Sequence, residues 1–216
     1  ISFLGFVGNP AQQKKAQLYS ITEKGKLIEN KKFVFELAEN TNSTFFSAHY
    51  GNFINTETKN LVILVADPST GTKVYVWSIK EGEFLREYVG PYVINPENKK
   101  SLPVSSKINK AEGRDEIIIS FGSPNRNIVK LKFLNDKITK EENIAKRFLQ
   151  NQAGSIYFLN NEETKELIVF NGGNPTQSKS FANNKEERPT INNPTQGTIN
   201  HAFFINKEPA LLTNFN

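Results

Sequence analysis

The side chains that most often carry out chemistry are few in this chain. It has two histidines, His49 and His201, and no cysteine. A chain without cysteine has no thiol nucleophile, no disulfide framework and no cysteine-ligated zinc or iron–sulfur cluster. The two histidines stand far apart and lack an evident carboxylate partner, which is a poor pattern for a metal site. We therefore expect no catalytic residue, no metal and no cofactor.

Two catalytic patterns come close without matching. Asp67-Pro-Ser-Thr-Gly71 is similar to the Asp-box hairpin of sialidases, but its glycine and the following Trp77 stand at the wrong spacing. Gly172-Gly173 falls in a turn and lacks the following helix that a phosphate-binding loop needs. Arginines, which would hold an acidic sugar, are scarce and scattered. Because these patterns do not match, we keep a glycan-processing hydrolase only as an alternative to the recognition function predicted below.

Small polar residues followed by proline recur along the chain and mark turns. The short side chain can accept a hydrogen bond from the backbone two residues on, and proline presets φ at the next position. Turn chemistry alone can explain these residues, and a role in binding is the other interpretation. The candidate binding residues are the four turn residues, one arginine after the third turn and one tyrosine in a long connection: Asn9, Asp67, Ser123, Asn174, Arg126 and Tyr92.

These residues belong to a sequence that repeats with a period of roughly 53 residues. The turn Asn55-Thr-Glu-Thr-Lys-Asn-Leu61 recurs as Asn161-Glu-Glu-Thr-Lys-Glu-Leu167, and looser copies begin at Asn109 and Asn206. Each copy opens into an apolar run. Four short strands fit each unit, and hydrophobicity falls towards the outermost strand, as in radially arranged sheets. The sequence predicts an all-β fold, a β-propeller made of four-stranded antiparallel blades with about four repeats.

The repeat also predicts how the chain is divided. Approximate repeats span 1–43, 44–101, 102–153 and 154–200, with a partial repeat at 201–216. The stretch 176–200 has almost no apolar residues, so we expect a long polar loop or degenerate strands there. The chain starts and stops within second strands and contains no methionine. We therefore expect an arc of a larger propeller, continued by further blades or domains of a parent chain.

One segment carries a resemblance to a known family. Between Thr70 and Arg86, Trp77 ends the third strand of a unit and Gly82 leads into the fourth, which resembles a WD-type propeller blade. Ser78 stands where that family usually has aspartate, so the chain resembles a divergent β-propeller superfamily with WD-like blades and not WD repeats proper. Tyr75 and Trp77 alternate along their strand, so we expect them to pack between neighbouring blades. The Lys-, Asn- and Phe-rich composition is similar to that of mycoplasma-type surface proteins, including adhesins.

Charge and hydropathy limit the partners. The formal net charge is +5, but the lysines are spread among glutamates and asparagines without a basic stripe. We therefore expect no nucleic-acid partner. The longest apolar run, from Leu61 to Ala66, is far too short to span a bilayer, so we expect no membrane insertion in this segment.

Together these observations predict a recognition module without enzymatic activity. We expect part of a bacterial surface protein, extracellular or at the cell surface, that presents propeller loops to a protein or glycan ligand in adhesion or assembly. The alternatives are the hydrolase described above and an intracellular propeller scaffold.

Overall fold

The computed structural model describes most of the first two thirds of the chain and the strands of the remainder. The described residues are 2–7, 13–88, 90–94, 101–110, 113–122, 127–135, 137–144, 156–161, 166–171, 176–182, 185–186, 191–193, 198–205 and 208–214. Their regular structure consists of β-strands in antiparallel sheets. Nowhere in these ranges is there a helix long and apolar enough to cross a bilayer. The prediction of an all-β fold with antiparallel sheets is confirmed.

The first half of the chain forms two sheets. The first sheet has the order β1-β2-β3; the second has the order β4-β5-β6-β7, and β8 also pairs with β6. The strands are β1 (Ser2–Val7), β2 (Lys15–Ile21), β3 (Leu27–Glu36), β4 (Thr44–Gly51), β5 (Lys59–Ala66), β6 (Thr72–Lys80), β7 (Glu83–Arg86) and β8 (Tyr92–Ile94).

Three further sheets follow. The third has the order β12-β11-β10-β9, the fourth has the order β13-β14-β15-β16 with β17 also paired to β15, and the fifth is the hairpin β18-β19. Their strands are β9 (Pro103–Lys110), β10 (Asp115–Phe121), β11 (Ile128–Phe133), β12 (Ile138–Ile144), β13 (Ile156–Asn161), β14 (Glu166–Asn171), β15 (Thr176–Ala182), β16 (Lys185–Glu186), β17 (Ile191–Asn193), β18 (Thr198–Ile205) and β19 (Glu208–Asn214).

The described strands form sheets of three, five, four, five and two strands, where the sequence predicted four-stranded blades, and they do not close a ring. The first four sheets lie within 1–43, 44–101, 102–153 and 154–200, and the polar stretch 176–200 contains three short strands and the start of β18. Among the described residues there is neither a closed barrel nor a closed propeller. The chain divides into two compact units, of which the first comprises the described residues of Ile1–Lys100, Gly113–Asp115 and Phe133–Ile138.

Within the first unit, the first and second sheets pack through an apolar core. Strand β5 is buried along nearly its whole length, because its uninterrupted apolar run presents hydrophobic side chains on both faces. Aromatic side chains from both sheets fill this core. It is built around Ala16, Phe33, Phe45, Leu61, Ile63, Val65 and Trp77.

A tight turn joins the last two strands of the ladder β4-β5-β6-β7. Glu81 and Gly82 both have positive φ, 50° and 81°, as a two-residue hairpin with the twist of its strands requires. The turn sets the register of β6 against β7, which places Trp77 directly opposite Arg86.

Candidate binding site

The first predicted site residue that the structure describes is Asp67, which directly follows β5. Its side chain folds back over the next residues, and Oδ1 accepts hydrogen bonds from the Ser69 N–H at 2.8 Å, the Ser69 hydroxyl at 2.5 Å and the Thr70 N–H at 3.0 Å. Gly71 closes the turn with φ of 95° and donates its N–H to the Asp67 carbonyl at 2.9 Å. This is the Asx-type turn expected from aspartate followed by proline.

The other carboxylate oxygen ties the turn to two more residues. Asp67 Oδ2 accepts a hydrogen bond from the Ser43 hydroxyl at 2.6 Å and forms an ion pair with Lys73 Nζ at 2.8 Å. Burial alone would raise the pKa of Asp67. The hydrogen bonds from Lys73 and the neighbouring donors outweigh burial and hold the pKa well below its usual range. The buried carboxylate is therefore ionised and acts as the centre of the turn.

The tip of this turn faces solvent. Pro68, Ser69 and Thr70 are exposed, although the aspartate beneath them is only 3% exposed. A loop anchored in this way presents its tip in one conformation.

Tyr92 lies at the same end of the second sheet as the Asp67 turn. In the pairing of β8 with the start of β6, Val93 is opposite Lys73 and Tyr92 is opposite Val74. Lys73 is the residue whose ammonium group binds Asp67. The sequence predicted an open connection around Tyr92, whereas the structure places it, half-buried, in a short strand. The structure therefore brings two of the six predicted binding residues to one sheet end.

The other four predicted binding residues, Asn9, Ser123, Arg126 and Asn174, lie outside the described residues. Their assignment as binding residues stays a prediction. The prediction that all four proline turns share one face has the same status, because only the Pro68 turn is described.

A histidine and a serine lie next to each other on β4. The Ser47 hydroxyl is 3.3 Å from His49 Nε2, because residues two apart on a strand project from the same face. Burial lowers the pKa of His49 to about 4. Such an imidazole is neutral at pH 7 but is a weak base. In the part of the chain that the structure describes, no cluster of three or more His, Cys, Asp or Glu side chains could hold a metal ion.

A feature that sequence reasoning missed is the arrangement we call the Arg86 platform, formed by Arg86, Tyr75, Trp77 and Phe35. The Arg86 Cζ atom lies 4.5 Å from the ring centroid of Tyr75, 4.6 Å from that of Trp77 and 5.9 Å from that of Phe35. The sequence did contain a signal for it. The turn at Gly82 fixes the register of the hairpin, and that register pairs Trp77 with Arg86.

Trp77 itself is a core residue. It is 7% exposed, and its ring centroid lies 5.1 Å from those of Phe33 and Phe35, which belong to the first sheet. The structure thus places Tyr75 and Trp77 against a neighbouring sheet, in agreement with the packing interpretation of their alternation.

Comparison with solved structures defines the class of fold. A structure of a Bacteroides fragilis protein assigned as a 6-phosphogluconolactonase matches with a TM-score of 0.54 and 13% identity, over 83% of this chain and 49% of that one. That protein has a seven-bladed-propeller-like lactonase fold. At this identity the likeness concerns the fold alone.

Among curated proteins, L67 of Acanthamoeba polyphaga mimivirus, assigned as a BTB/POZ domain-containing protein, is 30% identical over 134 residues. The match covers 57% of this chain and 25% of that protein. This chain therefore spans about half the length of the solved structure and a quarter of the length of the curated relative. No protein-family model matches it.

These findings correct the family resemblance drawn from the sequence. The likeness to WD-type blades is wrong, because the matching fold is of the lactonase type. The likeness to mycoplasma-type surface proteins finds no support either, since the matches are to a Bacteroides fragilis structure and a mimivirus protein. Trp77 has a simpler physical explanation than WD descent, since the core against Phe33 and Phe35 requires a large aromatic side chain at this position.

Proposed function

We propose that this chain is a recognition module, which binds a ligand with preformed loops and catalyses no reaction. The observation that carries the proposal is the Asp67 turn, whose buried carboxylate anchors the exposed tip 68–70 at the same sheet end as Tyr92. A preorganised loop loses less conformational entropy on binding, so more of its contact energy appears as affinity.

The ligand that we propose is a protein. The sheet end combines a rigid polar tip with a half-buried tyrosine, and tyrosine is among the residues enriched in protein–protein interfaces. The match to a quarter of a longer domain-containing protein supports a role as one module of a larger assembly. A glycan ligand is the competing outcome of the test. The extracellular location stays a prediction from the sequence.

We also propose that the sheets are an arc of a lactonase-type propeller scaffold. The solved structure that this chain matches is about twice as long, which leaves room for further blades. Large apolar side chains on the first sheet are also exposed, where a further sheet could bury them. They include Phe3 at 41%, Ile21 at 40%, Leu27 at 53% and Val34 at 45%. This chain should bind a hydrophobic dye, and a longer parent protein should bind much less of it. Equal dye binding by the two proteins would contradict the proposal of an arc.

A hydrolase is the second candidate, favoured by the contact between Ser47 and His49 and by the lactonase-type fold. The low pKa of His49 argues against it, because a base with a pKa of about 4 is poorly suited to take a proton from serine at neutral pH.

Two experiments test the proposal. Binders selected on the purified protein from a random-peptide display library and from a glycan array should lose affinity for a Thr70→Lys variant. They should keep it for Lys24→Glu, a change in the exposed turn between β2 and β3. In a lactone-hydrolysis assay the protein should show no turnover above buffer. Turnover that disappears in His49→Gln would establish the hydrolase and refute the proposal, as would binders that ignore the tip.

A further inference from the structure

The Arg86 platform holds a guanidinium over aromatic rings at the protein surface. Tyr75 and Trp77 have nearly parallel rings, 20° apart with centroids at 6.3 Å, and Arg86 lies over both from the neighbouring strand. Arg86 itself is exposed, whereas the two aromatic residues beneath it are half-buried and buried. The cation–π contacts restrict the position of the guanidinium without using its N–H groups.

The platform is rich in hydrogen-bond donors, and no acceptor on the described residues is paired with them. Within the described part of the chain, the Arg86 guanidinium makes neither an ion pair nor a hydrogen bond, and the same holds for the Tyr75 hydroxyl and the Trp77 indole N–H. Burial of part of the group lowers the pKa of Arg86, yet arginine stays protonated in proteins. A positive charge therefore stands at the surface with no counter-charge bound to it among the described residues.

A planar guanidinium is matched by a carboxylate, which can accept two parallel N–H bonds. An arginine that is already held by stacking loses little side-chain freedom when it forms those bonds. We propose that the Arg86 platform binds a carboxylate group of an acidic protein segment. This inference goes beyond the proposed recognition site, because Arg86 pairs with Trp77 towards the end of β6 that is remote from the Asp67 turn.

Two observations favour a protein over an acidic sugar. The guanidinium already covers the faces of Tyr75 and Trp77, so a sugar ring cannot stack there. Arginine, tyrosine and tryptophan are also the residue types most enriched at the energetic centres of protein–protein interfaces.

The chain provides its own reporter for this site. Trp77 is its only tryptophan and lies beneath Arg86, so intrinsic fluorescence reports on the platform. Titration with an oligoglutamate peptide should change that fluorescence in a saturable manner. Arg86→Gln should weaken binding about tenfold or more, and Arg86→Lys, which keeps the charge but loses the planar fork, about threefold or more. Lys24→Gln removes the same charge from an exposed turn and should change affinity less than about twofold.

Further measurements identify the class of ligand and test whether each variant is folded. Tyr75→Phe keeps the ring and should weaken binding a few-fold if the hydroxyl contributes. Each variant is checked by thermal unfolding, and Arg86→Lys decides the question if Arg86→Gln is unstable. Tighter binding of sialyllactose or of inorganic phosphate than of the peptide would overturn the proposal, as would an unchanged titration in both Arg86 variants. The peptide titration and the binder selection use different variants and different readouts, so failure here is distinguishable from failure of the proposed function.

Discussion

The carboxylate of Asp115 lies beside Gly51, in the space that a side-chain Cβ atom would occupy. From there Asp115 Oδ2 accepts a hydrogen bond from the Asn52 N–H at 2.8 Å. In return the Asn52 carbonyl accepts one from the Asp115 N–H, also at 2.8 Å. The reciprocal pair joins the end of β4 to the start of β10, and only glycine at position 51 permits it.

Gly51→Ala should therefore destabilise the protein by about 2–4 kcal/mol, because the new Cβ displaces the carboxylate and also presses on the ring of Phe53. Gly90→Ala is the matched control, since nothing lies within 4 Å of a Cβ built there. Its free energy of unfolding should change by less than about 0.5 kcal/mol. Urea unfolding measures both, and equal effects would contradict the role assigned to Gly51.

Asp67→Asn should lower the free energy of unfolding by about 2–4 kcal/mol at pH 7, since it removes the anion that Lys73 and four other donors share. The folded state lowers the pKa of Asp67. Its contribution is therefore complete above the unfolded-state pKa of about 3.9 and is lost as the pH falls below that value. Glu23→Gln, in an exposed turn, serves as the control. Identical acid unfolding of wild type and the Asp67 variant would show that the carboxylate is not the centre of the turn.

His49 should make the stability depend on pH in a different window. Its pKa is lowered by burial to about 4 in the folded protein, against about 6.5 in the unfolded chain. Between these values the unfolded state binds more protons, so stability rises with pH and this contribution is complete above about pH 6.5. The expected rise is about 1–3 kcal/mol. Urea unfolding of wild type and His49→Gln from pH 4.5 to 7.5 tests it, and parallel curves would refute the assignment.

Truncation to alanine should destabilise the protein strongly at one position on β3 and hardly at all at another. Phe33 is 4% exposed and packs against Trp77 and Phe84, with ring centroids 5.1 and 4.7 Å away, so Phe33→Ala should cost about 3–5 kcal/mol. Leu27 is 53% exposed, and Leu27→Ala should cost less than about 0.5 kcal/mol. Thermal unfolding compares the two variants. A large loss at Leu27 would show that its side chain is covered in the folded protein.

The sequence by itself determined that the fold is all-β with antiparallel strands, although it predicted a connection where β8 lies. Strand formation depends on local patterns, and the apolar run of β5, the alternation in β6 and the turn at Gly82 are all local. The Asp67 turn was predictable for the same reason, because an Asx turn is made by residues that are adjacent in the chain.

Only the tertiary structure decided which distant side chains meet. The contact of Asp115 with Gly51, and that of Trp77 with Phe33, join segments whose approach depends on how whole sheets pack and not on any nearby residue. Arg86 shows the difference most clearly. Its pairing with Trp77 follows from a short turn. Its exposure, and the lack of an acceptor for it on the described residues, depend on everything packed around it. Burial and electrostatic satisfaction are properties of the assembled core, and these properties make a surface arginine a candidate binding residue.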